Sequence, residues 1–159
     1  MTQTQTGSTK ADTVPVDGSK TGTIVVKRTI LATVDELFDA WLDPESLAQW
    51  MHPGTTARST ARVDARVCGT FDVVMHHPNG PLRHYGVYRT IERNKKLIFT
   101  WCSDATHHTE TLVTVEFNAA SGGTEIVLTH ERMPDHHAGC SHVQGWTQAL
   151  ELLEDLLTR

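Results

Sequence analysis

Ten histidines are spread over 159 residues, and three of them bracket a turn in the stretch VMHHPNGPLRHYGVY, Val74 to Tyr88. Imidazole changes charge near neutral pH, so such a group could hold a metal, orient a ligand or move a proton. The direction of each side chain decides among these. Adjacent His76 and His77 point to opposite faces of an ordinary strand and cannot serve one metal; His76, with Arg83 and Tyr85, is expected on the solvated face. His84 and His130, with Ser103 and Thr111, make the more informative set. They could orient the polar end of a mostly apolar ligand, or Ser103 and His130 could supply a hydroxyl and a base. The plain alternative is a group of hydrogen-bonded core or rim residues. No carboxylate or thiolate accompanies them to complete a shell, so neither a metal nor a cofactor is expected.

The elements that must position these side chains can be read from periodicity. Thr23–Leu31 is β-branched and reads as a strand. Val34, Leu37, Phe38, Trp41 and Leu42 follow at helical spacing, with Thr33 and Glu36 as a capping box. Pro44 starts a second short helix, and core packing is the default for Trp41 and Trp50. Thr60 to Glu131 alternates with period two and reads as five or six antiparallel strands joined by hairpins. The closing segment places Val143, Trp146, Leu150, Leu153 and Leu157 on one face of a long amphipathic helix.

Turn positions fix an expected register. A turn at Asn79-Gly80 sets Met75 opposite His84 and Phe71 opposite Tyr88. A turn at Asn94-Lys95 sets Tyr88 opposite Trp101, and a loop over Thr106–His108 sets Trp101 opposite Val113 and Ser103 opposite Thr111. Hydrophobic matching then pairs Val113 with Leu128, Val115 with Ile126 and Thr111 with His130. One face would carry Phe71, Tyr88, Trp101, Val113 and Leu128 in a row, flanked by Phe99, Val115 and Ile126. On its other side would lie Val73, Ser103, Thr111 and His130, with Met75 and His84 beyond. Together with Trp146 these form the expected wall of a ligand cavity, apolar at one end and polar at the other.

Composition limits the alternatives. A formal charge of −5 and a pI near 6.0 argue against nucleic acid. No apolar leader or run of membrane-spanning length is present, so a cytoplasmic protein that does not insert into membranes is expected. The cysteines, Cys68, Cys102 and Cys140, are odd in number and widely spaced, as reduced structural thiols would be. Residues 1–23 read as a flexible polar tail and 24–159 as one domain. A homodimer is left open.

The stretches ATVDELFDAWLDPESLAQWM, VDARVCGTFDV, YGVYRTIERNKKLIFTW, GGTEIVLTHE and HVQGWTQALELLEDLL, in this order and spacing, resemble the START-like (SRPBCC) superfamily. Within it they are most similar to bacterial homologues of the activator of the heat-shock-protein-90 ATPase. The resemblance runs from about Ile24 to Leu157. It departs at Cys68, where the family usually has the first glycine of a pair. It implies an α+β helix-grip fold, a curved antiparallel sheet around a long carboxy-terminal helix, with a cavity for an apolar small molecule; His142 matches a frequent family position and is a candidate mouth residue. The expected function is binding of an apolar or aromatic small molecule, more in keeping with a non-catalytic protein than an enzyme. A cyclase-, dehydratase- or hydrolase-like enzyme using a cavity histidine is the alternative. Chaperone activation is a further one, weakened because only a polar tail precedes the module.

Overall fold

The computed structural model describes residues 12–14, 22–54, 56 and 58–159. The chain runs β1 (Asp12–Val14), β2 (Ile24–Ile30), α1 (Val34–Leu42), α2 (Pro44–Trp50), β3 (Ser59–Val63), β4 (Thr70–His77), β5 (Gly80–Glu92), β6 (Lys96–Trp101), β7 (Thr111–Ala120), β8 (Gly123–Glu131) and α3 (His136–Leu157). The strands form one antiparallel sheet ordered β1-β2-β8-β7-β6-β5-β4-β3. Seven of them, β2 to β8, make the curved sheet that packs on α3, an α+β helix-grip architecture; the short β1 extends it beside β2. Apart from β1 and residues 22–23, the expected polar tail lies outside the described residues.

Local chemistry explains the helices. Thr33 Oγ1 accepts from the Glu36 backbone N–H at 3.2 Å and starts α1. Asp43 ends that helix and caps the next through the Ser46 N–H, with Pro44 in the first turn, where its missing donor costs nothing. Asp135 caps α3 by accepting from Ala138 N–H at 2.8 Å. Burial of one stripe then holds α3 down: Trp146, Ala149, Leu150 and Leu153 are buried against the sheet. Arg28 of β2, almost fully buried, reaches Glu154 of α3 at 2.7 Å.

The expected registers are each displaced. Met75 pairs with Leu82 and Val73 with His84, a slip of two residues, because the turn centres on Pro78-Asn79 rather than Asn79-Gly80. Trp101 pairs with Thr111 and Phe99 with Val113, again a slip of two. Here a 3-10 turn over Asp104–Thr106 lengthens the connection, held by the buried Thr106 hydroxyl between the Ser103 and Thr109 backbones. Val115 pairs with Leu128 and Val113 with His130, the third such slip. Between β5 and β6 the pairing shifts by one residue near Arg89, a bulge that brings Tyr88 opposite Phe99. Side chains alternate with period two, so a slip of two preserves the face. Phe71, Tyr88, Phe99, Trp101, Val113, Val115, Ile126 and Leu128 are therefore all buried on the inner side.

Two backbone positions shape the curl. A Cβ on Gly86 would sit 1.9 Å from the Thr100 carbonyl oxygen, so only glycine lets β6 approach so closely. Cys68 has φ 69°, in the left-handed region that favours glycine. Its N–H bonds the Tyr88 carbonyl, so the position keeps a glycine-like conformation although the residue is cysteine.

Candidate functional site

A cavity of about 170 Å3 opens where the β4–β5 hairpin, the segment after α2 and the amino-terminal half of α3 diverge. The sheet contributes Met75, His77, Leu82, His84 and Trp101; the segment after α2 contributes Met51, Pro53 and Thr56. From α3 come Ser141, His142, Gly145, Trp146 and Ala149, and Ala105 completes the lining. No Lys, Arg, Asp or Glu is among these residues. The cavity is apolar with three imidazoles in its wall.

Two of these groups, His84 and His142, define the electrostatics. His84 is 7% exposed, its ring lies 5.0 Å from Trp101, and its Nδ1 has no hydrogen-bond partner. Burial, helped by repulsion from His142, lowers its pKa from 6.5 to about 4, against an opposing pull from the Leu82 and Val73 carbonyls. His142 Nδ1 lies 2.7 Å from the Ala138 carbonyl oxygen and must donate to it. In the neutral ring Nε2 is then a bare acceptor. Burial also lowers the His142 pKa, so the neutral form is favoured.

His130 is differently held. Trp146 Nε1–H donates to its Nδ1 at 3.0 Å, and its Nε2 lies 2.7 Å from Thr111 Oγ1. The Thr111 hydroxyl in turn donates to the Trp101 carbonyl. A nitrogen that accepts from an indole cannot carry a proton, so His130 is the neutral Nε2–H tautomer. Burial holds its pKa well below 6.5, with His142 adding to the effect. His130 is a bonded core residue. Ser103 Oγ has no hydrogen-bond partner among the described residues, so the alternative in which Ser103 and His130 supply a hydroxyl and a base finds no bond between them.

The expected wall thus divides. Met75, His84, Trp101 and Trp146 line the cavity. Phe71, Val73, Tyr88 and Phe99 border a much smaller void of about 20 Å3, shared with Trp41, Leu47 and Met51. Val113, Val115, Ile126 and Leu128 are packed core, and Ser103, Thr111 and His130 are buried outside the cavity lining. The reason is that Trp41, Trp101 and Trp146, with ring centroids 5.0 to 6.0 Å apart across the middle of the inner face, fill the space that the wall would enclose. His76 is half-buried rather than solvated. Trp50 is fully buried, its indole N–H bonded to the Ala40 carbonyl, and the mouth is made by the residues after it.

Sequence reasoning did not find Gly145 and Ala149. Their signal is legible: small residues at helical spacing on the face of α3 that carries Trp146. A Cβ on Gly145 would meet nothing nearer than Pro53 Cγ at 4.0 Å, so the glycine leaves room rather than avoiding a clash. Among the described residues no group of three His, Cys, Asp or Glu side chains is placed to hold a metal ion. No helix among them is long and apolar enough to cross a membrane.

The model of the Activator of Hsp90 ATPase homolog 1-like protein family matches residues 31–158. No curated protein matches the chain. Among solved structures, a Chromobacterium violaceum protein, CV1439, is 23% identical with a TM-score of 0.77, covering 87% of this chain and 98% of that one. A Rhodobacter sphaeroides protein is 22% identical with a TM-score of 0.79, over 94% and 98% of the two chains. An AHSA1-like protein from Aeromonas hydrophila is 24% identical with a TM-score of 0.68, over 84% and 90%. Likeness at this level of identity speaks for the fold.

Proposed function

The chain belongs to the Activator of Hsp90 ATPase homolog 1-like family, and we propose that it is a binding protein for a small apolar or aromatic molecule held between the sheet and α3. The observation that carries this reading is Gly145. Glycine inside a helix costs about 1 kcal/mol relative to alanine, and here it stands in mid-helix facing open space in the cavity wall. Stability given up at the point that keeps a cavity open supports a role for the cavity. The lining supports the ligand class: Met51, Met75, Leu82, Trp101, Trp146 and Ala149 offer apolar contact, and no Lys, Arg, Asp or Glu stands with them among the described lining residues.

The family's name refers to activation of a chaperone ATPase. The exposed large apolar side chains among the described residues are Leu31, Val67 and Leu82, which stand on separate segments. They support a protein-docking role less than the cavity supports a ligand.

Toluene titrated into protein freed of co-purified molecules, followed by the fluorescence of Trp101 and Trp146, tests the reading. Binding at one site is expected, and Gly145→Leu, which fills the cavity, should abolish it. Failure of toluene to bind wild type, or unchanged binding in Gly145→Leu, would refute the proposal. Native mass spectrometry of protein purified without added ligand should show a co-purified small molecule.

A further inference from the structure

We propose that the ligand is a neutral single-ring compound bearing a hydroxyl, and that its O–H donates to Nε2 of His142. The inference rests on the cavity being a ligand site and adds what that ligand must carry. Size sets the first limit. A cavity of roughly 150 Å3 accommodates benzene, and this one is about 170 Å3. One ring with a small substituent fits; an acyl chain or fused rings would have to extend outside.

The polar end is set by His142. Its Nδ1–H is committed to the Ala138 carbonyl, so the ring turns a lone pair, not a proton, to whatever approaches Nε2. That nitrogen has no partner among the described residues and is not among the buried orphaned atoms, so it remains open to an incoming group. His142 is 8% exposed and lines the cavity, as does His84, which is 7% exposed with Nδ1 unpartnered. An open acceptor in an otherwise apolar wall is best satisfied by a donor.

Competing chemistries fit less well. An ether or ketone would set lone pair against lone pair at Nε2. A carboxylate would do the same and would leave water with no Lys or Arg among the described wall residues to replace its solvation. Burial of His142 opposes the protonation that would rescue such an anion. An ammonium ion would find no carboxylate among the described wall residues. A phenolic or alcoholic hydroxyl satisfies Nε2 and brings no charge.

The experiment compares four probes of similar size: toluene, anisole, phenol and benzoate. In wild type at pH 7.5, phenol should bind about 3- to 10-fold more tightly than anisole, the worth of one neutral hydrogen bond, and benzoate should bind weakest. His142→Asn keeps an amide N–H for the Ala138 carbonyl but has no atom at the Nε2 position. It should still bind toluene, with an affinity set by the altered wall, and lose the preference for phenol over anisole. Equal binding of phenol and anisole, or a preference for phenol that survives in His142→Asn, overturns the proposal while toluene binding leaves the cavity reading standing. If no probe binds, both fall. Should His142→Asn fail to fold, the 15N shift of His142 Nε2 in wild type decides: it should move with phenol and not with toluene, and a shift unmoved by phenol overturns the assignment.

Discussion

At one end of the inner face His130 is fully buried and both ring nitrogens are occupied, by the Trp146 indole and the Thr111 hydroxyl. At the other end His84 and His142 are 7% and 8% exposed; Nδ1 of His84 has no hydrogen-bond partner, and His142 is bonded through Nδ1 to the Ala138 carbonyl. All three residues are histidines turned inward, and burial lowers the pKa of each. What separates them is satisfaction. A fully bonded buried polar group specifies packing, whereas a partly satisfied one beside open space has capacity left for a ligand.

The sharpest way to break this contrast is to remove the rings. His130→Leu leaves the Trp146 N–H without an acceptor inside the core and should lower unfolding free energy by about 3 kcal/mol. His84→Leu removes a nitrogen that has no partner and should change it by less than about 1 kcal/mol. Urea midpoints measure both, and equal losses would mean that the two ends are not distinct.

Acid should act next most strongly. The unfolded chain takes up protons below pH 6.5, while His84 in the folded protein stays neutral until about pH 4. Stability is therefore complete above pH 6.5 and falls as the pH drops from there toward 4. The loss should be on the order of 1 kcal/mol per pH unit for each buried histidine. His84→Phe should make the decline between pH 6.5 and 5 shallower. A melting temperature that is flat or rises over that interval would contradict neutral burial.

Gly145→Ala sharpens the contrast from the helix side. It should raise stability by about 1 kcal/mol through helix propensity while weakening toluene binding, because the new methyl enters the cavity. Alanine at neighbouring Ser141 should show no comparable gain. The smallest effect expected is none at all: a chelator should leave the melting temperature unchanged, and a drop would reassign these histidines to a metal.

Much of this molecule was legible in its sequence. Thr33, Asp43 and Pro44 define helix starts through contacts within three residues, and such local rules need no knowledge of the rest of the chain. The period-two pattern placed Trp101, Val113 and Leu128 on the inner face although every pairing was misjudged, since the errors were slips of two and parity survived them. The near miss was at β5–β6, where the turn alone would have reversed the face and the bulge at Arg89 restored it. Nothing near Asn94 announces that bulge.

The site was less legible, and the reason is physical. Sequence determined which residues face inward, because hydrophobic alternation is a property of each strand by itself. Whether an inward residue meets solid core or open space depends on what the opposing layer brings to it. Trp41 and Trp146 come from helices far apart in the chain, and only their meeting over Trp101 closes the middle of the sheet and leaves space at the hairpin end. The hydrogen bonding of His130 and His142 was decided in the same way, by an indole N–H from α3 in one case and a carbonyl one helical turn away in the other. Hydrogen-bond satisfaction belongs to neighbours in space, so only the tertiary structure could decide it.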